Sequence, residues 1–219
     1  MLWHEHLQRQ ELRYRDGLER LPEDPDSRQR QLTRVANAAL GAGFAELMAG
    51  NQFEAEKWLL DAATWYRKSY EGAPIESWGR MIGALKLRLI AGDDSGVLSD
   101  AEWTLGNGAE QAVSPIGRYA ACLAHLVLED DFLAAEIAVE LQSSEGFPKD
   151  VAGALYGVAS RNRVLYGTAI NSVLRSFEMR AEYLEDIPIA DTVIMLNVLA
   201  EKRNIRHVMT SSLLPLENS

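Results

Sequence analysis

Few side chains in this sequence have the type and spacing that chemistry requires, and histidine and cysteine are the first to consider. His4 and His6 lie two positions apart in a stretch with helical character, so they point in different directions and cannot share one metal ion. Cys122 and His125 are three apart, which brings side chains together on a helix, but the segment is apolar and has no third group to orient them. We therefore predict a solvated turn for the first pair, a buried cysteine for the second, and no metal site.

The short motifs that mark common enzyme classes are absent from the sequence. It contains no GxxxxGK[ST] phosphate loop, no GxGxxG after a strand, no GxSxG elbow, and neither HExxH nor CxxC. Each of these motifs supplies a nucleophile, a metal ligand or a phosphate cradle at a fixed spacing. The sequence therefore predicts a protein that is not an enzyme and needs no cofactor.

Acidic side chains are concentrated in the middle of the chain. The net charge is −10, and residues 73–149 carry 5 basic against 12 acidic side chains. Such a charge repels nucleic acid, whose phosphates need clustered lysine and arginine, and attracts a protein with a basic surface. The candidate binding residues lie in turns at helix ends: Asp93, Asp94, Glu129, Asp130 and Asp131. Helix capping and solubility remain alternative explanations for them.

Two tryptophans form a second candidate binding feature. Trp58 and Trp65 are seven positions apart on a predicted helix whose main apolar face includes Leu59 and Tyr66. They project about 100° away from the centre of that face, given the 3.6-residue turn of a helix. Either a second layer of helices covers them, or they form an exposed aromatic strip of the kind enriched at interfaces, including that of a homodimer.

The elements that position these residues are helices. Apolar residues recur with the helical period and strand-like alternation is almost absent, so we predict about ten helices with short breaks. A recurring turn pattern follows Ala49, Ala91, Glu129 and Ser160, at intervals of 42, 38 and 31 residues. Intervals of this size are typical of helical hairpin repeats. The predicted fold class is all-α, a stacked array of antiparallel hairpins of the tetratricopeptide or HEAT kind.

The breaks in the helical pattern also predict boundaries. We expect residues 1–219 to form a single all-helical domain, with residues 1–25 as an N-terminal helix and proline-bounded linker. Residues 204–219 are predicted to form a coil tail. Pro74 is expected in the first turn of the fourth helix, and the apolar stripe from Leu165 to Leu184 predicts one continuous helix.

The cellular compartment is predicted from what the sequence lacks. A single cysteine excludes an internal disulfide framework, and the first nineteen residues are too charged for a secretory signal. No apolar run reaches the roughly 18–20 residues that cross a bilayer. The sequence therefore predicts a soluble, cytoplasmic protein that does not bind membranes.

The last third of the chain resembles the C-terminal half of the immunity protein family numbered forty-nine, which occurs in bacterial polymorphic toxin systems. The segments that carry the resemblance are Ala121–Asp131, Phe147-Pro148, Leu165–Glu182, Asp186–Ile205 and Ser212–Pro215. The family has a helix, then a proline-led apolar helix ending in Leu-Ala-x-x-Arg-Gly, then a short Leu-Pro tail. This chain has Asn204 in place of that glycine. The resemblance implies an all-helical protein that binds and neutralises a cognate toxin, with no specific binding residue assigned.

These observations lead to one functional hypothesis and two rivals. The main hypothesis is a non-enzymatic helical protein that binds another protein, with the acidic middle segment as its steering surface. One rival is a helical sensor or enzyme that binds a small molecule between hairpins, near Trp103, Arg118 and His125. The other is a homo-oligomer that assembles through Trp58 and Trp65.

Overall fold

The computed structural model describes residues 3–216 and confirms the all-α prediction, because this part of the chain contains ten α-helices and no strand. Short 3₁₀ helices occupy Ala109–Gln111 and Leu184–Asp186. The α-helices are α1 (Trp3–Glu19), α2 (Pro25–Met48), α3 (Gln52–Tyr70), α4 (Trp78–Ala91), α5 (Asp94–Gly106), α6 (Pro115–Val127), α7 (Asp131–Ser143), α8 (Lys149–Ala159), α9 (Arg163–Glu178) and α10 (Asp191–Glu201).

The helices form two compact units. Unit 1 contains α1 to α4 together with residues 181–189 and 212–216, and unit 2 contains α5 to α10. In unit 1 each helix packs on the next along the chain, and in unit 2 the same holds from α5 to α9, with α10 against α8 and α9. This sequential packing supports the predicted hairpin arrangement within each unit.

The recurring turn seen in the sequence is one backbone motif. A residue one or two positions after the end of α2, α4, α6 and α8 has a positive φ: Gly50, Gly92, Glu129 and Arg161. In each case the following N–H donates to a carbonyl five positions earlier, at 2.9 to 3.0 Å. This left-handed cap satisfies carbonyls that the helix end leaves free. Glycine occupies the left-handed position in only two of the four turns, which is why the sequence repeat looks degenerate.

The residue after the left-handed position starts the next helix. The side chain of Asp130 accepts the N–H of Leu133 at 3.2 Å, and Asn162 accepts the N–H groups of Val164 and Leu165 at 3.1 Å each. Aspartate and asparagine are favoured here because their oxygens replace the missing helical acceptors. A two-residue turn thus ends one helix and caps the next.

Pro25 and Pro115 each open a helix, whereas Pro74, where a helix start was predicted, does not. Pro25 and Pro115 are first residues of their helices, with Asp24 and Ser114 as caps. Pro25 was expected to close the linker of residues 1–25, whereas it opens α2. The predicted start at Pro74 is wrong, because α4 begins at Trp78 and a turn containing left-handed Glu76 precedes it.

The predicted continuous helix from Leu165 to Leu184 is also wrong, since α9 ends at Glu178. Residues 181–189 instead belong to unit 1, where Gln10 donates to the carbonyl of Glu185 at 3.1 Å and Arg13 pairs with the Glu185 carboxylate. Glu185 itself has a positive φ. Hydrogen bonds to a helix far away in sequence therefore override the local apolar stripe.

The C-terminal residues match the predicted absence of helix but are held by contacts. Within residues 205–216 no helix or strand occurs, and residues 217–219 of the predicted coil lie outside the described residues. The side chain of Asn197 donates to the carbonyl of His207 at 3.2 Å, and Ile205 and Leu213 are buried. No helix among the described residues is both long and apolar enough to cross a membrane.

Candidate binding cleft

An open apolar cleft of about 500 Å³ lies in unit 2. It is formed by the start of α6, the turn before α8, the end of α9 and the start of α10. Its lining comprises Pro115, Ile116, Tyr119, Glu145, Gly146, Phe147, Pro148, Val151, Phe177, Arg180 and Thr192. The volume falls in the range of about 300–1,000 Å³ typical of ligand sites.

Two proline-marked helix starts place the aromatic walls. Ser114 and Pro115 fix the first turn of α6, and Tyr119 follows one turn later. Phe147 precedes Pro148, the N-cap of α8. The rings of Tyr119 and Phe147 contact each other with centroids 5.4 Å apart and planes tilted by 53°. Such tilted aromatic pairs are favourable, so the two rings hold each other in place at the wall of the cleft.

The rim of the cleft carries one cation and one anion. The guanidinium of Arg180 lies 3.5 Å from the centroid of the Phe177 ring, in cation–π geometry. Arg180 and Glu145 are exposed, and within residues 3–216 neither takes part in an ion pair. Both charges are therefore available to a ligand or partner seated in the cleft.

Tyr119 adds a polar atom to the apolar wall. It is 7% exposed, and burial raises the pKa of its phenol well above the usual range, with the nearby charge of Asp191 acting in the same direction. The phenol is therefore neutral at physiological pH. Since no hydrogen bond to its hydroxyl occurs within the described part of the chain, it can donate to a bound group.

The lining residues have the chemistry of a binding site. No cysteine, serine or histidine lines the cleft, and no cluster of three or more His, Cys, Asp or Glu side chains suited to a metal occurs within residues 3–216. Aromatic, proline and aliphatic side chains with a few polar groups at the rim favour the recognition of an apolar group.

The predicted acidic residue Asp131 is engaged inside unit 2. Its carboxylate pairs with Arg161 at 2.9 Å and with Arg203, whose Nε lies 2.8 Å away. The guanidinium of Arg203 is buried and also donates to the carbonyls of Leu126 and Leu199. A carboxylate that neutralises a buried arginine stabilises the fold and has little charge left for a partner.

The other predicted acidic residues do not form one acidic surface, because three of them make ion pairs or cap a helix. Asp93 pairs with Arg88, and Asp94 pairs with Lys202 at 2.5 Å. Asp130 caps α7, whereas Glu129 is exposed in the left-handed turn position. The exposed carboxylates of unit 2 without an ion pair in residues 3–216 are Glu102, Glu129, Glu136, Glu145 and Glu178. The sequence predicted only Glu129 of these five.

Trp58 and Trp65 are partly covered by α1 within unit 1. The ring of Tyr14 meets Trp58 edge-on with centroids 5.2 Å apart, and the indole N–H of Trp65 donates to the Tyr14 hydroxyl and to Asp61, at 3.1 Å each. Both tryptophans have intermediate exposure. The structure thus shows the second packing layer that was one of the two alternatives, and a binding role for the pair stays a prediction.

The residues proposed for a small-molecule site are occupied by internal contacts. Arg118 pairs with Glu140 and donates to the carbonyl of Glu110 at 2.6 Å, and His125 is buried with its Nε2 3.0 Å from the Glu110 carboxylate. None of these residues lines the cleft. Cys122 is buried as predicted, and burial raises the pKa of its thiol to about 12, so it is not a thiolate near neutral pH.

Sequence reasoning missed the cleft because its walls come from four separate segments. Phe147-Pro148 and Ser114-Pro115 were visible as motifs, but nothing in their spacing indicates that the two segments meet. Phe177 was assigned only to an apolar stripe, and Arg180 to a helix that does not reach it. Comparison with protein-family models, with curated proteins and with solved structures gives no match to this chain.

Proposed function

We propose that this chain is a non-enzymatic helical protein that binds another protein, and that the cleft of unit 2 receives apolar side chains of that partner. The observation that carries the proposal is the open, mainly apolar cleft, which is lined by the half-buried ring of Phe147 and by the buried rings of Tyr119 and Phe177. Open pockets lined by aromatic residues, with a polar rim, are the usual location of the strongest contacts in protein interfaces.

The proposed partner has a basic surface. Unit 2 carries 14 acidic against 9 basic side chains and is therefore net negative. Its exposed unpaired carboxylates include Glu102, Glu129, Glu136 and Glu145, and Glu145 lies in the cleft lining itself. Charges of this kind accelerate encounter with an oppositely charged protein and make association sensitive to salt. The steering residues are thus mostly different from the predicted ones.

We further propose that the partner is a toxin and that this chain is its cytoplasmic immunity protein, which rests on the resemblance of residues 121–215. One contact and one backbone conformation within that stretch support the resemblance. Arg203, the arginine of the family's Leu-Ala-x-x-Arg-Gly pattern, pairs with Asp131 at the other end of the stretch. Asn204 has a φ of 60°, a conformation that glycine and asparagine adopt readily.

The test uses a matched pair of variants in unit 2. Ile116 lines the cleft and is 47% exposed, whereas Val139 on α7 is 49% exposed and is not in the cleft lining. Purified products of the neighbouring genes are titrated against wild type, Ile116→Asp and Val139→Asp by calorimetry. We expect Ile116→Asp to weaken binding by about tenfold or more, and Val139→Asp by less than about twofold.

The same titration at about 50 mM and about 300 mM salt tests the charge contribution, and the affinity should fall at the higher salt. Failure of every neighbouring gene product to bind, or equal weakening by the two variants, would contradict the proposal.

A second candidate is a small apolar molecule with an anionic end, favoured by the cleft volume and by Arg180 stacked at its rim. The probe 1-anilinonaphthalene-8-sulfonate has this chemistry. Saturable fluorescence enhancement that Arg180→Gln weakens by about tenfold would favour this candidate. Enhancement that the substitution leaves unchanged would exclude an anion site at Arg180.

A further inference from the structure

A second pocket, of about 250 Å³, lies in unit 1 between the start of α1 and the end of α2. Its lining residues are Trp3, His4, Leu7, Ala45, Glu46, Ala49 and Asn51. Nothing in the function proposed above uses these residues.

Glu46 makes this pocket unusual. Its side chain lines the pocket, yet the residue is only 8% exposed. Its Oε2 accepts a hydrogen bond from the amide of Asn51 at 2.6 Å. Within residues 3–216 no lysine, arginine or histidine nitrogen lies within ion-pair distance of this carboxylate. Burying a carboxylate to this extent without a counter-charge costs desolvation free energy, so a cation bound in the pocket would be stabilised by Glu46.

Two further features of the pocket favour a positive charge. Ala45, Glu46 and Ala49 belong to the last turn and C-cap of α2, where the helix dipole places partial negative charge. Trp3 also lines the pocket, and indole is the best aromatic partner for an organic cation. The described residues offer no third His, Cys, Asp or Glu that would complete a metal site here.

We propose that this pocket binds a primary ammonium group, either of a small alkylamine or of a lysine side chain. The Glu46 carboxylate forms the ion pair, Trp3 covers the alkyl chain, and the α2 carboxyl end adds negative potential. The volume is below the range of about 300–1,000 Å³ for drug-sized ligands, which agrees with a short, narrow occupant.

The experiment is a titration of the ¹⁵N-labelled full chain, followed by amide and indole NMR shifts. The probes are n-butylammonium, the neutral isostere n-butanol, and Nα-acetyl-lysine methylamide, which presents a lysine side chain without a free α-amine. We expect n-butylammonium to shift the Trp3 and Asn51 signals with a dissociation constant of about 1 mM or tighter, and n-butanol to bind at least about tenfold more weakly.

Variants separate the charge effect from a general loss of structure. Glu46→Gln keeps the shape and the contact with Asn51 and should weaken n-butylammonium at least about tenfold, while Glu19→Gln, an exposed residue on α1, should not change it. The spectra of both variants show whether the fold is kept. The titrations are repeated on protein with its amino-terminal amine acetylated, so that this amine cannot compete.

Each outcome decides the proposal. Binding of the lysine derivative supports a lysine side chain as occupant, and binding of n-butylammonium alone supports a small amine. Equal binding of n-butanol and n-butylammonium, an unchanged affinity in Glu46→Gln, or no shift with either amine would overturn it.

Discussion

The two units use their aromatic residues in opposite ways. In unit 1 Tyr14 packs edge-on against Trp58 and accepts a hydrogen bond from Trp65, so a neighbouring helix partly covers this aromatic group and no cleft is left beside it. In unit 2 Tyr119, Phe147 and Phe177 line an open cleft. Aromatic content alone does not mark a binding surface, since what decides is whether the rings border an open cavity.

The largest effect expected from this comparison is on stability in unit 1. Trp65→Ala removes a packed indole and its two hydrogen bonds to Tyr14 and Asp61, so we expect a loss of about 3 kcal/mol in the free energy of unfolding. Urea denaturation of the full chain measures it. Partner binding at the cleft should be unchanged under conditions where the variant is folded.

A loss below about 0.5 kcal/mol for Trp65→Ala would break the comparison, because it would mean that the tryptophan contributes no packing. Loss of partner binding without loss of stability would instead indicate that Trp65 contacts the partner.

Phe147 should show the reverse behaviour. It has the same intermediate exposure as Trp65 but is a smaller side chain without hydrogen bonds, and it lines the cleft, so Phe147→Ala should cost about 1 kcal/mol of stability, less than Trp65→Ala. Its effect on binding should be larger, a weakening of about tenfold or more, because the cleft loses one wall. Urea denaturation of Phe147→Ala measures its loss of stability, and calorimetry measures its loss of partner affinity. A stability loss equal to that of Trp65→Ala would contradict the different roles assigned to the two residues.

The smallest expected effect is a pH dependence from Tyr14. Burial first, and then the hydrogen bond to Asp61, raise the pKa of this phenol from 10.0 to about 12. Between these two pH values the unfolded chain releases the proton while the folded chain holds it, so the contribution of Tyr14 to stability falls as pH rises.

Tyr14→Phe isolates this effect, since other groups titrate equally in both proteins. The difference in unfolding free energy between wild type and Tyr14→Phe should be constant below pH 10 and should shift against wild type from there towards pH 12. A constant difference over the whole range would show that Tyr14 is not buried against Trp58 and Trp65.

Much of the fold follows from the sequence, because helices and their caps are set by nearby residues. The helical period located the ten helices, and the four recurring turns share one geometry although their sequences differ. The third turn begins after Leu128, one residue earlier than predicted, because Glu129 itself takes the left-handed position. The errors arose where distant contacts decide. Residues 181–189 leave the helical pattern because Gln10 and Arg13 hold Glu185, and no local signal indicates that pairing.

The candidate site was less predictable for the same reason. Asp131 looked like an exposed acidic residue until its contact with Arg203, 72 positions away, placed it in an internal ion pair. The cleft requires α6, α8, α9 and α10 to meet at one end, which periodicity cannot show. The same holds for Glu46, whose burial depends on α1 lying across the end of α2.

The central claim is that binding takes place at the open cleft of unit 2 and not at the partly covered tryptophans of unit 1. Hydrogen–deuterium exchange of the chain alone and saturated with its neighbour-encoded partner tests this directly. We predict slower exchange at residues 115–119 and 145–151, which line the cleft, with no change across α3. Slower exchange confined to residues 52–70, with the cleft segments unaffected, would contradict it.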